Sequence, residues 1–274
     1  MGRRARTGGL LCARRRLCRR RLPSLRRARV SELVFVGTSD AFGAGGRRQS
    51  AILLRAANGS VLLDCGTTTS AGLSDLGIAR SEIDAILVSH FHGDHFGGIP
   101  FLLLAALYED ERRDPLWIAG PPGIEQRVRT LASSLGYALE EREWSFPIHF
   151  EELRPGRERA IGPVDVDAFE VFHQPQTAPH GLGVRFGRQR LVYSGDTGFF
   201  PDLPDRVGDA DLFVCECTYL DNDFEFHISH RELVARKHEF RCQRIILTHL
   251  GQEMLAHRGN AAFETADDGL RVRL

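Results

Sequence analysis

From residue 33 onward, short apolar runs alternate with turn-forming residues. The runs ELVFVG (32–37), SAILLRA (50–56) and SVLLDCG (60–66) read as strands, the last two joined through ANG, a hairpin signal. TTSAGLSDLGI then predicts a helix with threonine and serine at its start, and SEIDAILVSH a short helical turn running into a buried strand. Residues 96–113, FGGIPFLLLAALYEDERR, are apolar at first and charged at the end, as in a helix that begins buried and emerges into solvent. DPLWIAGPPGIEQRVRTLASSLGY repeats the order of strand, proline–glycine turn and helix. Strands follow over 146–153, 164–173, 181–187 and 189–196. The last third predicts the strand ADLFVCECTY, the helix SHRELVARKHEF, the strand CQRIILTHL and a terminal edge strand GLRVRL. Neither an internal repeat nor a low-complexity linker divides this stretch, so residues 30–274 are expected to form one domain of mixed strands and helices, with helices covering the sheet faces.

The 274 residues are 42% hydrophobic, enough for a sizeable core. A formal net charge of zero hides an asymmetry: residues 1–29 hold twelve arginines and no acid, leaving 24 basic against 36 acidic side chains in the remainder. Such an acidic body is not a generic polyanion binder. The leader has neither the uninterrupted apolar stretch of a signal peptide nor a segment able to span a bilayer. It is expected to be disordered, with a nucleic-acid-binding arm or a targeting signal as alternatives. The protein is expected to be cytoplasmic, without membrane contact. The six cysteines, at 12, 18, 65, 215, 217 and 242, show no CxxC pair and are expected to be reduced and buried, Cys215 and Cys217 on the same side of a strand.

The chemistry concentrates in SHFHGDHFGG, residues 89–98, just past the strand AILVS. Loop side chains at a strand end project into a cleft, where His90, His92, Asp94 and His95 could bind metal. Three other predicted strands also end in metal-capable residues: VDVDAFEVFH in His173, QRLVYSGD in Asp196 and RIILTH in His249. His180, nearer to the strand GLGVRF, is the alternative to His173.

This arrangement resembles the metallo-β-lactamase superfamily of metal-dependent hydrolases: HxHxDH, then a later His, an Asp and a final His, with Asp64 of LLDCG matching the structural aspartate before the signature. The resemblance runs from about residue 33 to the end. It implies an α+β fold, a four-layer αβ/βα sandwich with a dinuclear site along one edge of its sheets. His90, His92 and His173 would hold one Zn2+, Asp94, His95 and His249 the other, and Asp196 would bridge; Mn2+ or Fe could replace zinc. Water between such ions can reach a pKa of about 7, giving a hydroxide nucleophile near neutral pH.

Within the superfamily, Asp196 stands where exported β-lactamases commonly carry cysteine, and the 25 residues after His249 are too few for the helical domain of glyoxalase II relatives. The opening GTSDAFGAGGRRQSAILL, SGDTG and ECTYLDNDFEFHIS resemble the ribonuclease Z-like phosphodiesterase branch. That branch implies His227 as general acid, oriented by Glu216, so the expected catalytic set is Asp94, Glu216 and His227; His230 is an alternative proton donor. Arg48 and Ser50, in the opening hairpin, are expected to hold a substrate phosphate. The stretch 124–162 reads as ordinary helix and strand, without the glycine- and basic-rich arm of transfer-RNA-processing relatives. A small phosphodiester or related ester is therefore the expected substrate. A ribonuclease Z-like tRNA 3′-processing endonuclease is the alternative, as is a non-catalytic metal-binding sensor, and a homodimer is a possible assembly.

Overall fold

Alternate residues of the first strand part company. Leu33 and Phe35 join one hydrophobic cluster and Val34 and Val36 another, so the strand is buried on both faces. The computed structural model describes residues 31–274; the arginine-rich leader expected over residues 1–29 lies outside them. In chain order the strands are β1 (Glu32–Gly37), β2 (Ala51–Ala56), β3 (Gly59–Leu63), β4 (Ile83–Leu87), β5 (Leu116–Gly120), β6 (Ile148–Glu152), β7 (Arg159–Ile161), β8 (Val164–Glu170), β9 (His180–Phe186), β10 (Gln189–Tyr193), β11 (Leu212–Glu216), β12 (Ile245–Thr248), β13 (Glu264–Thr265) and β14 (Arg271–Arg273). The helices are α1 (Thr69–Asp75), α2 (Gly93–Phe96), α3 (Ile99–Tyr108), α4 (Ile124–Ser134), α5 (Leu203–Val207), α6 (His230–Arg236) and α7 (Gln252–His257).

Two seven-stranded sheets result, in the orders β14-β1-β2-β3-β4-β5-β6 and β13-β12-β11-β10-β9-β8-β7. Their inner faces meet: Phe35, Leu54 and Leu63 of the first sheet share a core with Val184, Leu191 and Val214 of the second. The outer face of the first sheet packs on Leu73 of α1, Leu102 of α3 and Val128 of α4. That of the second packs on Leu203 of α5, Leu233 of α6 and Met254 of α7. Helix, sheet, sheet and helix give the expected four-layer sandwich. From β3 to β6, and from β10 to β13, the strands run parallel, so their carboxyl ends share an edge and their following loops gather there.

Local departures have identifiable causes. The helix expected over 96–113 is shortened to α3 (Ile99–Tyr108), with α2 ending at Phe96 just before it. Gly98 between them lies so close to the backbone of Gly66 that a Cβ would fall 2.2 Å from that carbonyl oxygen, and Pro100 suits a first helical turn. Its charged end does not continue into solvent as helix: Glu111 is left-handed (φ 48°), and Arg112 is buried, donating to the carbonyls of Asp114 and Pro115. The strand expected over 60–66 stops at Leu63 because Asp64 turns left-handed. The short strands β7 and β13 carry too few residues for a readable period. The expected terminal edge strand is β14, paired with β1. Among the described residues no helix is long and apolar enough to cross a membrane.

Candidate metal centre

At the common edge of the two sheets, the loop after β4 meets residues that follow β8, β10 and β12. His90, His92, His173 and Asp196 form one group of potential ligands, and Asp94, His95, Asp196 and His249 a second; within each, the donor atoms lie within 4.8 Å of one another. Asp196 belongs to both. His92 Nδ1 is 3.1 Å from His90 Nε2 and 3.2 Å from His173 Nε2. Ligands around a tetrahedral ion with bonds of about 2.1 Å lie about 3.4 Å apart, so three nitrogens at this spacing suit a single cation.

The remaining ring nitrogens are held by the protein. His173 Nδ1 is 2.8 Å from the carbonyl oxygen of Phe226, to which it can donate, leaving Nε2 free. His95 Nδ1 is 2.6 Å from Asp64 Oδ2, and His249 Nδ1 is 2.9 Å from Thr218 Oγ1. Such partners on the far side of the ring orient metal-binding imidazoles.

The donor set fits a divalent cation on an independent ground. His95 Nε2 and Asp196 Oδ1 face each other at 3.3 Å, both buried and both without a hydrogen-bond partner. Buried unpaired polar atoms cost about 1–3 kcal/mol each; an ion between them would satisfy both. The charges agree. Burial alone would raise the Asp196 carboxyl, but His249, His95 and His90 hold it well below the usual carboxylate range. Burial lowers His95, yet Asp196, Asp94 and Asp64 more than reverse this and keep it protonated. Burial leaves His90 neutral. The carboxylates thus favour positive charge here, and they raise His249 as well as His95 against the effect of burial.

Beside this cluster stands a second arrangement. Glu216, the last residue of β11, is fully buried and accepts hydrogen bonds from the backbone N–H groups of Thr197, Thr218 and Ile228. Its Oε1 is 2.9 Å from His227 Nδ1. Burial pushes the His227 imidazole down, but the Glu216 carboxylate raises it to about 9. His227, Asp94, Asp196 and His249 all line a cavity of about 630 Å³, rimmed by Phe42, Tyr219 and Phe224.

Other sequence-derived expectations land elsewhere. His180, in β9, bonds its Nδ1 to the carbonyl of Ala178 and lies outside both ligand groups. His230 opens α6 and accepts from the N–H of Ala262 through Nε2, turned to a neighbouring loop. Arg48 does not reach the cavity: its Nε donates to the Val36 carbonyl, and the guanidinium lies against Asp75 and Asp268. Ser50 is buried, with its carbonyl accepting from Gly66. The opening hairpin packs inward at that point, so neither residue expected to hold a substrate phosphate lines the cavity. Cys215 and Cys217 are buried free thiols, as expected. Residue type alone does not mark Thr218 or Tyr193 as part of the site. Thr218 follows Glu216 by two residues, the only local hint; Tyr193 carries none.

A family model described as anti-Pycsar protein Apyc1 matches residues 31–266. Ribonuclease Z of Lachnoclostridium phytofermentans is 31% identical, over 69% of this chain and 75% of its own length. Among solved structures, human tRNase Z, short form, aligns with a TM-score of 0.71 at 24% identity, covering 88% of this chain and 98% of its own. The metallo-β-lactamase fold protein YhfI from Bacillus subtilis aligns with a TM-score of 0.71 at 21% identity, covering 89% and 99%. Fold, donor set and relatives agree: the chain belongs to the anti-Pycsar protein Apyc1 family, a metal-dependent hydrolase of the metallo-β-lactamase fold on its ribonuclease Z-like branch.

Proposed function

We propose that this protein is a dinuclear-zinc phosphodiesterase that cleaves a small phosphodiester or related ester, with His227 as general acid. The observation that carries this reading is the meeting of two donor groups at Asp196, with His227, held by the buried Glu216, on the wall of the same cavity. His90, His92 and His173 would hold one ion and Asp94, His95 and His249 the other, with Asp196 joining both; Mn2+ or Fe are the alternatives to zinc. Held by these residues, such ions would supply Lewis acidity toward a phosphoryl oxygen and would lower the pKa of water to about 7.

The chain's own residues do the rest. Asp64, Phe226 and Thr218 orient His95, His173 and His249 so that each presents Nε2. A departing alkoxide is a poor leaving group until protonated. His227, kept protonated by Glu216, can donate from Nε2, help worth about 10²–10⁴-fold. Asp94 lines the cavity, and its Oδ2 lies 3.3 Å from both His95 Nε2 and His249 Nε2.

A cavity of about 630 Å³ is the size of small-molecule sites, about 300–1,000 Å³. Among the described residues no arginine or lysine lines it, whereas backbone binding of a nucleic acid draws its affinity from cationic side chains. Within the stretch 124–162, α4 packs on the first sheet and β6 and β7 are paired within the two sheets. These observations favour a small substrate. The second reading, tRNA 3′ processing, is favoured by the ribonuclease Z relatives and by the arginine-rich leader. By its family description the chain would act against Pycsar. Whether the chain pairs as a homodimer is read by sedimentation velocity. A sensor without turnover fits poorly, since ligands and proton donor are all present.

The test is an assay of metal-loaded protein, with Asp94→Ala as control, on bis(p-nitrophenyl) phosphate, cyclic nucleotides and a 3′-extended tRNA. Cleavage of the small esters supports the proposal. Efficient cleavage of the RNA alone overturns the substrate preference, and no turnover on any substrate overturns the enzyme reading.

A further inference from the structure

Tyr193 ends β10 with its side chain buried between the two sheets, and its hydroxyl donates to Asp64 Oδ2 at 2.8 Å. Asp64 belongs to the opposite sheet. It follows β3, is fully buried and holds a left-handed backbone (φ 58°), uncommon for a residue other than glycine. Its other hydrogen-bond partners come from its own side of the sandwich: the N–H and Oγ of Ser89, at 2.7 and 2.8 Å, and His95 Nδ1 at 2.6 Å. Among these, Tyr193 is the one partner from the facing sheet.

Three residues beyond Tyr193 comes Asp196, whose Oδ1 faces His95 Nε2 at 3.3 Å with neither atom hydrogen-bonded. A short path therefore leaves the second sheet at the Tyr193 hydroxyl, passes through the Asp64 carboxylate and the His95 ring, and returns to the same strand end at Asp196. The gap in that loop is where the donors converge. Ligands from two separate sheets can grip one ion only if the sheets keep their spacing, and van der Waals packing of apolar side chains is less directional than an O–H···O⁻ bond.

We propose that Tyr193 is a positioning residue: holding Asp64 from the facing sheet, it sets the separation of His95 from Asp196 and thereby the affinity of the centre for a divalent cation. The inference rests on the ligand assignment proposed above. Removing a group behind a metal ligand costs about 10–100-fold in affinity, and Tyr193 acts one step further back, so a loss of about tenfold is expected.

Cobalt(II) binding, measured by chelator competition and by its visible absorption, tests this on the full-length protein. Tyr193→Phe removes one oxygen and keeps the ring; its apparent Kd should rise about tenfold with an altered cobalt spectrum, while Tm in excess chelator stays near that of the parent. A lowered Tm in chelator with unchanged Kd would mean a merely structural role and overturn the proposal. In an Asp64→Asn background, Tyr193→Phe should add less than about twofold, because the hydroxyl acts through that carboxylate; a renewed full loss would overturn it as well. Should Tyr193→Phe not fold, Asp64→Asn alone must weaken cobalt binding, and unchanged Kd there sinks the idea. Parent protein that takes up no cobalt defeats the ligand assignment; normal uptake by both parent and Tyr193→Phe defeats only this inference.

Discussion

Glu216 Oε1 lies 2.9 Å from His227 Nδ1, the carboxylate fully buried and the imidazole on the cavity wall. A carboxylate anchored by three backbone N–H groups cannot swing away, so it fixes both the ring's orientation and its proton. If His227 protonates the leaving group, His227→Gln should lower kcat by about 10²–10⁴-fold on an alkyl phosphodiester. Metal content, measured by elemental analysis, should not change. A substrate with an acidic phenol as leaving group should be far less affected; equal losses on both substrates would count against the role.

The pH profile follows from the same pair. The His227 pKa is raised to about 9, so its proton is present at neutral pH and is lost as pH rises through that value. The rate should therefore fall on the alkaline side. Cations held at neighbouring Asp196, as proposed, would add positive charge and bring that limb below 9 in the loaded enzyme. Glu216→Gln removes the raising charge and should move the limb to still lower pH. A limb unmoved by Glu216→Gln, followed in kcat across the neutral-to-alkaline range, would assign it to another group.

Asp196 is shared by both ligand groups, whereas Asp94 belongs to one. Asp196→Ala should thus weaken both ions together, while Asp94→Ala leaves His90, His92, His173 and Asp196 intact and should retain one. Metal-to-protein ratios after gel filtration distinguish the two variants. Full occupancy in Asp196→Ala would rule out a shared ligand.

Thr218 Oγ1 lies 2.9 Å from His249 Nδ1 and 3.1 Å from Glu216 Oε2, so it braces both the metal group and the acid pair. Thr218→Val keeps the shape and removes the hydroxyl. Metal affinity should fall about 10–100-fold, read by chelator competition.

Arg48 bonds to backbone and carboxylates away from the cavity, so Arg48→Ala should cost about 1–2 kcal/mol of stability through lost hydrogen bonds. KM should stay at the parent value. A raised KM with an unchanged urea midpoint would return Arg48 to the substrate.

Much of the site was legible because it is local. His90, His92, Asp94 and His95 fall within six residues after one strand, and no packing of the rest could scatter them. Asp196 and His249 were legible for a related reason: apolar runs buried on both faces had to end, and the polar residue just past each end was bound for the shared edge. The layers were compatible with the strand and helix pattern, but the orders of the sheets were not readable from it.

His173 and His180, seven residues apart, both lie beside strands. Only tertiary structure separated them: Phe172 bridges to Gly198, and His173 bonds to the Phe226 carbonyl, contacts between distant loops. The partners of Arg48 were not legible, since Asp75 and Asp268 are 27 and 220 residues away. The role of Tyr193 is illegible in the sequence for the same reason, its partner being 129 residues distant. The sequence by itself determined which donors the strand ends carry, since that depends on local burial and chain direction. Which rings are oriented, by whom, and how far apart the two sheets hold them was decided only by packing, because those bonds form between segments that the chain order leaves unrelated.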